Sequence, residues 1–195
     1  MSANETTLTP GDPTSGRGTR VAIVVGIAAL VGISVWLATG CNRDDTGPAM
    51  VVVSSSDAKL VSDGDVAGIP DEVGHEVFWA GDRPDTDVEM SDDPAGNVHL
   101  RYLNSSDELG TASQTFLNIG TYPFAGAFQT TRNLTNREGV VRVEVPGGVG
   151  FYDQESPYSV ILSFADEPDL QVEVYHPEKN AALDVVRSGD IVPVP

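Results

Sequence analysis

Cysteine occurs once in the 195 residues, at Cys41, so no intrachain disulfide can form and a disulfide-stapled module is excluded. Whatever folds here is held by its apolar core. Positive charge is scarce as well: Lys and Arg together number 11 against 29 Asp and Glu, and the formal net charge is -18. Lysine is found only at Lys59 and Lys179. A surface this acidic repels nucleic acid and anionic headgroups and favours cations or basic partners. No nucleic-acid partner is therefore expected.

Catalytic signatures are missing too. There is no G-x-S-x-G elbow for a serine nucleophile. His75-Glu76 opens like a zinc-protease helix, but Trp79 stands where the second histidine would have to be. His75, His99 and His176 are scattered, and the expectation for them is hydrogen-bonded residues at strand ends rather than a metal site. The acids Asp82, Asp85, Asp87, Glu89, Asp92 and Asp93 suggest at most weak divalent-ion binding. Read as a calcium loop from Asp82, they put Asp87 where glycine is required and Asp93 where the bidentate Glu belongs. Gly147-Gly148-Val149-Gly150 joins two apolar runs instead of opening a helix, so it reads as a hairpin turn and not a phosphate cradle. Neither a cofactor nor catalysis is expected, with acidic pairs of a hydrolase as the alternative.

Long apolar runs are absent with one exception, Val21 to Gly40, an uncharged stretch between Arg20 and Arg43. About 20 apolar residues are what a helix needs to cross a bilayer. Arg17 and Arg20 precede the run and Arg43 follows it beside Asp44 and Asp45. That bias predicts an N-terminus inside and the rest of the chain outside, with residues 21–40 partnered by lipid. The second reading rests on Leu37-Ala38-Thr39-Gly40-Cys41, which resembles a relaxed lipobox with Cys41 as the acylated residue. In that case the protein is lipid-anchored on the outer face. The organisation expected is a disordered tail over 1–19, a transmembrane helix or lipoprotein signal over 20–41, a flexible stalk over 42–70 and an extracytoplasmic domain over 71–195.

That domain reads as α+β: a single, mostly antiparallel sheet with about two helices packed on one face. Ala58 to Val61 is read as a helical turn in the stalk, and Pro70 to Gly74 as another. Strands are expected over His75–Trp79, Thr86–Met90, Val98–Leu103, Thr115–Ile119 (ended by Gly120), Val140–Val145, Tyr158–Phe164 and Leu170–Tyr175. The turn residues from Ser91 to Asn97 make the second and third of these a hairpin. Phe124, Ala127, Phe128, Thr131, Leu134 and Thr135 recur at helical spacing, with Gly139 as the expected cap. A last helix spans Pro177–Arg187, and Ile191–Val194 closes as an edge strand whose prolines suit that position.

Among these elements His75-Glu76-Val77-Phe78-Trp79-Ala80-Gly81, Arg101-Tyr102-Leu103, Ile119-Gly120-Thr121-Tyr122-Pro123 and Gln171-Val172-Glu173-Val174-Tyr175 form an ordered set of short phrases. The set resembles an actinobacterial family of membrane-anchored proteins of unknown function over residues 74–195. It departs from that family at Glu76, where proline is usual. The resemblance implies a cell-envelope location and brings no catalytic residue with it.

The aromatics most apt to lie at a surface are Tyr122 and Phe124, at the corner after one strand, and Phe151 and Tyr152, after the glycine turn. Exposed aromatic side chains are favoured in binding sites, so these four make the candidate ligand or partner surface. The function expected is a non-catalytic binding or accessory module of the cell envelope, with the acid-based hydrolase and a structural spacer as alternatives.

Overall fold

The computed structural model describes residues 58–195. The expected tail, the membrane-spanning or signal segment with Cys41, and the stalk up to residue 57 lie outside the described residues. Ten strands and four helices follow in order: β1 (Lys59–Val61), α1 (Asp63–Val66), α2 (Ile69–Val73), β2 (Phe78–Trp79), β3 (Asp87–Asp92), β4 (Val98–Leu103), β5 (Leu117–Pro123), α3 (Ala127–Leu134), β6 (Val140–Val145), β7 (Gly148–Asp153), β8 (Ser159–Phe164), β9 (Leu170–Tyr175), α4 (Ala181–Ser188) and β10 (Val192–Pro193). A 3₁₀ turn over Ser106–Glu108 lies between β4 and β5. Among the described residues no helix is long and apolar enough to cross a membrane.

Eight strands form one sheet in the order β1-β3-β4-β5-β9-β8-β7-β6, and β2 pairs with β10 separately. Every pairing is antiparallel, so the α+β reading holds for the described part. Two meanders meet where β9 returns beside β5. Local chemistry sets the turns. Between β3 and β4, Asp93 Oδ1 accepts from the amides of Ala95 (2.8 Å) and Asn97 (3.1 Å). Between β6 and β7, Pro146 presets the first turn position and Gly147, at φ 69°, takes the second, which a side chain would strain.

Alternation along the strands sorts side chains between two faces. Val172 and Val174 of β9, Val160 and Leu162 of β8, Ile119 of β5 and Val143 of β6 point to one face and pack with Ala182, Leu183 and Val186 of α4 and with Phe78 of β2. Phe78 stacks on Phe164 with ring centroids 4.7 Å apart. Towards β3 and β4, Met90, Val98 and Leu100 pack with Val66, Ile69, Val77, Trp79 and Val194. Each fully buried aliphatic side chain contributes roughly 1.5–3 kcal/mol, and these clusters take the place of the missing disulfides.

Residues one position along each strand point the other way. On that face Ser163 Oγ meets Thr131 Oγ1 of α3 at 2.9 Å in a buried hydroxyl pair. The helices therefore cover opposite faces, which corrects the expectation of one helical face. The cause is topological: α3 carries the chain from the central strand β5 past β9, β8 and β7 to the far edge, while α4 leads back towards β2 on the other side.

Other boundaries shift as well. Ala58–Val61, expected as a helical turn, holds edge strand β1, because it finds the free side of β3 (Leu60 opposite Glu89). The segment expected as the end of a stalk contains α1 and the start of α2, which continues as the helical turn expected over Pro70–Gly74, and the burial of Val66 and Ile69 ties it to the core. Of the strand expected over His75–Trp79 only Phe78 and Trp79 pair. Gly120 lies inside β5 rather than at its end. Helix α3 begins at Ala127, leaving Phe124 before it, and Thr135 closes it in place of Gly139. Helix α4 starts four residues after Pro177 and ends on Gly189 at φ 81°.

Candidate functional site

On the face shared with α3, one cross-strand row runs Phe151 (β7), Ile161 (β8), Glu173 (β9), Gly120 (β5) and His99 (β4). Helix α3 covers one end of this face. At the other end the segment after β4 folds over it: Gly110 donates its amide to Glu89 Oε2 (2.7 Å), and Tyr175 donates its hydroxyl to the Gln114 carbonyl (3.1 Å). Between the two covers lie the half-buried side chains His99, Tyr122, Phe151, Ser159, Ile161, Glu173 and Tyr175.

Glu173 is the centre of this group. Tyr122 donates its hydroxyl to Glu173 Oε2 at 3.2 Å, and Ser159 is the second hydroxyl bonded to the carboxyl. Gly120, directly opposite Glu173, is what lets the tyrosine reach it. A Cβ on Gly120 would stand 2.3 Å from the phenol oxygen, so the ring lies over a position that only glycine leaves open. His99 meets the edge of the same ring, with centroids 5.5 Å apart.

The electrostatics are those of an acid without a counter-charge. Burial pushes the Glu173 carboxyl above the usual carboxylate range, against a smaller downward pull from the Ser159 and Tyr122 hydrogen bonds. Tyr122 is driven well above an ordinary phenol by burial first and by Glu173 second. Burial lowers His99, which bonds Asn118 at 3.3 Å. Among the described residues the ion pairs are Lys59–Glu72, Arg83–Asp190, Arg101–Glu89 and Arg142–Glu144, and none includes Glu173. Two buried amides near the row, Asn118 through Oδ1 and Gln171 through Nε2, keep polar atoms unpartnered. Such atoms are costly unless something satisfies them.

The four aromatics expected at a binding surface are divided by the fold. Tyr122 and Phe151 reach this face. Tyr152, one residue along β7, turns to the opposite face and packs on the main core cluster. Phe124 is half-buried in the connection to α3, its amide bonded to the Asp169 carbonyl at 2.7 Å. The histidines are also separated by their partners: His75 contacts the Glu76 and Gly96 carbonyls, His99 meets Asn118, and His176 accepts from the Glu178 amide. Of the loop acids, Glu89 is taken up by Arg101, and Asp93 by its own turn. Among the described residues no group of three or more His, Cys, Asp or Glu is placed to hold a metal ion.

Sequence reasoning did not single out Glu173 or Ser159. The signal was present, since Glu173 interrupts Leu170, Val172 and Val174 on the alternate face. A polar residue at such a position is ordinarily solvated, and only the pairing of β9 with β5 encloses it. Comparison with protein-family models, with curated proteins and with solved structures finds no match, so no likeness assigns this chain a catalytic activity.

Proposed function

We propose that the protein is a membrane-tethered, extracytoplasmic binding module of the cell envelope, which holds a cationic group of its ligand or partner at Glu173. The observation that carries this reading is the Glu173 carboxyl, hydrogen-bonded by two hydroxyls but without a counter-charge, set among aromatic side chains on the stretch of sheet left between α3 and the segment after β4. A cation arriving there meets a half-buried carboxyl already bonded by the Tyr122 hydroxyl, and its charge favours the ionised form that burial disfavours. The net charge of -18 draws basic partners towards the whole surface. A two-carboxylate hydrolase is less well supported, because the groups acting on Glu173 are hydroxyls and no second carboxylate stands among them.

Binding and pH are linked. An acid with a raised native pKa holds more protons folded than unfolded, so its contribution to stability falls as pH rises. The fall starts near the ordinary Glu value of 4.5 and ends once the raised value is passed. Glu173→Gln removes this slope, so the variant should be at least as stable as the parent at neutral pH. It should also lose binding of a lysine-rich probe peptide by about tenfold or more, as expected when a desolvated charge pair is lost. Calorimetric titration of the full chain in detergent with that peptide tests this. Equal affinity of parent and variant would leave only diffuse attraction by the acidic surface and would sink the Glu173 reading.

Tethering rests on Val21–Gly40 and its flanking charges. Mass analysis of membrane-extracted protein decides between the two anchors. A chain that still begins before Arg17 supports the spanning helix, and a diacylated start at Cys41 supports the lipoprotein. Recovery of the intact chain wholly in the soluble cell fraction would overturn both.

A further inference from the structure

Strand β6 ends the sheet and, among the described residues, has a neighbour on one side only. Its register with β7 shows which backbone groups face outwards. The two-residue turn makes Val145 and Gly148 a hydrogen-bonded pair, and alternation then turns Val143 and Val141 inwards as well. Two hydrogen bonds at the far end agree: Gln154 donates to Gly139, while the Val140 amide leaves the ladder and donates to Arg137. The amides and carbonyls of Arg142 and Glu144 therefore point away from the sheet.

We propose that β6 pairs with β6 of a second copy, antiparallel about a two-fold axis at Val143, and joins two sheets into one. In that register Arg142 faces Glu144 of the second copy and exchanges both backbone hydrogen bonds with it, and the symmetric pair does the same. The side chains of the two pairs have opposite charge, so the strand is complementary to itself. On the other face Val141 meets Val145 of the second copy, and the two Val143 residues meet at the axis, extending the valine stripe already present. Within one chain Arg142 bonds Glu144 at 2.5 Å with both side chains largely exposed, and such a surface pair is exchanged for the intermolecular one at little cost. Alternating charges on an edge also serve to keep strands apart. A lone charge repels its symmetry mate in a two-fold pairing, whereas an Arg and a Glu placed symmetrically about the axis attract.

Sedimentation of the full chain in detergent, followed over a range of concentration and salt, tests the pairing. The parent should be in monomer–dimer exchange, weakened by salt. Arg142→Glu should weaken the dimer by about tenfold, as two attractive cross-strand pairs become repulsive, and the double variant Arg142→Glu with Glu144→Arg should restore it. Arg142→Pro removes only an outward amide, which an edge strand tolerates, so circular dichroism should be unchanged while association is lost. A parent that stays monomeric throughout, or a dimer indifferent to Arg142→Pro, would overturn the proposal.

Discussion

Replacing Glu89 by Gln should destabilise the fold by about 3–5 kcal/mol, the cost of leaving a buried charge without its partner. Glu89 is 2% exposed and holds Arg101 through Nε (2.7 Å) and Nη2 (2.5 Å). Its other oxygen accepts the Gly110 amide at 2.7 Å, and Arg101 Nη1 donates to the Thr111 carbonyl at 2.7 Å. Gln in this place turns an amide N–H towards donors and leaves the guanidinium, packed over Phe116, without its carboxylate. Denaturant unfolding measures the loss. Hydrogen exchange should show Gly110 and Thr111 opening first, because they are held to the sheet through this pair. The surface pair of Lys59 and Glu72 is the control: truncating Lys59 should change stability by about 0–1 kcal/mol. Similar losses at both sites would mean that Glu89 is not the clamp its geometry indicates.

Gly150→Ala should cost about 1–3 kcal/mol, the usual cost of overpacking. A Cβ on Gly150 would lie 2.4 Å from Leu162 Cδ2 and 2.5 Å from the Ile161 carbonyl oxygen. A side-chain tip can swing aside, but the carbonyl belongs to β8 and is fixed by the ladder. The same substitution at Gly139 meets no atom within 4 Å and is limited by its φ of 79°. Thermal unfolding of both variants separates the two causes. If Gly150→Ala is tolerated without a shift in midpoint, the close approach of β7 and β8 is looser than these distances imply.

Much of the architecture was legible before any coordinates. The alternation in Val98–Leu103 and Leu170–Tyr175, and the Asp93–Asn97 and Pro146–Gly147 turns, specify strands and hairpins because each is a local matter of side-chain period and backbone dihedrals. The pairing of Val192–Pro193 at an edge follows in the same way from proline's missing donor. The edge strand at Lys59–Val61 was not legible: three residues carry too little period to separate strand from turn, and the free side of β3 decides their state.

The candidate site shows the same division. Aromatic side chains around Tyr122 and Phe151 marked the right region, but Tyr152 and Phe124 were grouped with them, since a run of neighbours does not say which face each one takes until register is known. Composition determined the acidic balance and the lack of disulfides, and local order the apolar N-terminal run, because none of these depends on which distant residues meet. The return of β9 to the side of β5, the passage of α3 and α4 on opposite faces, and the enclosure of an uncompensated Glu173 beside Tyr122 were decided by tertiary structure. They join residues 51 positions apart, and no local preference of the chain encodes which distant strand will supply the neighbour.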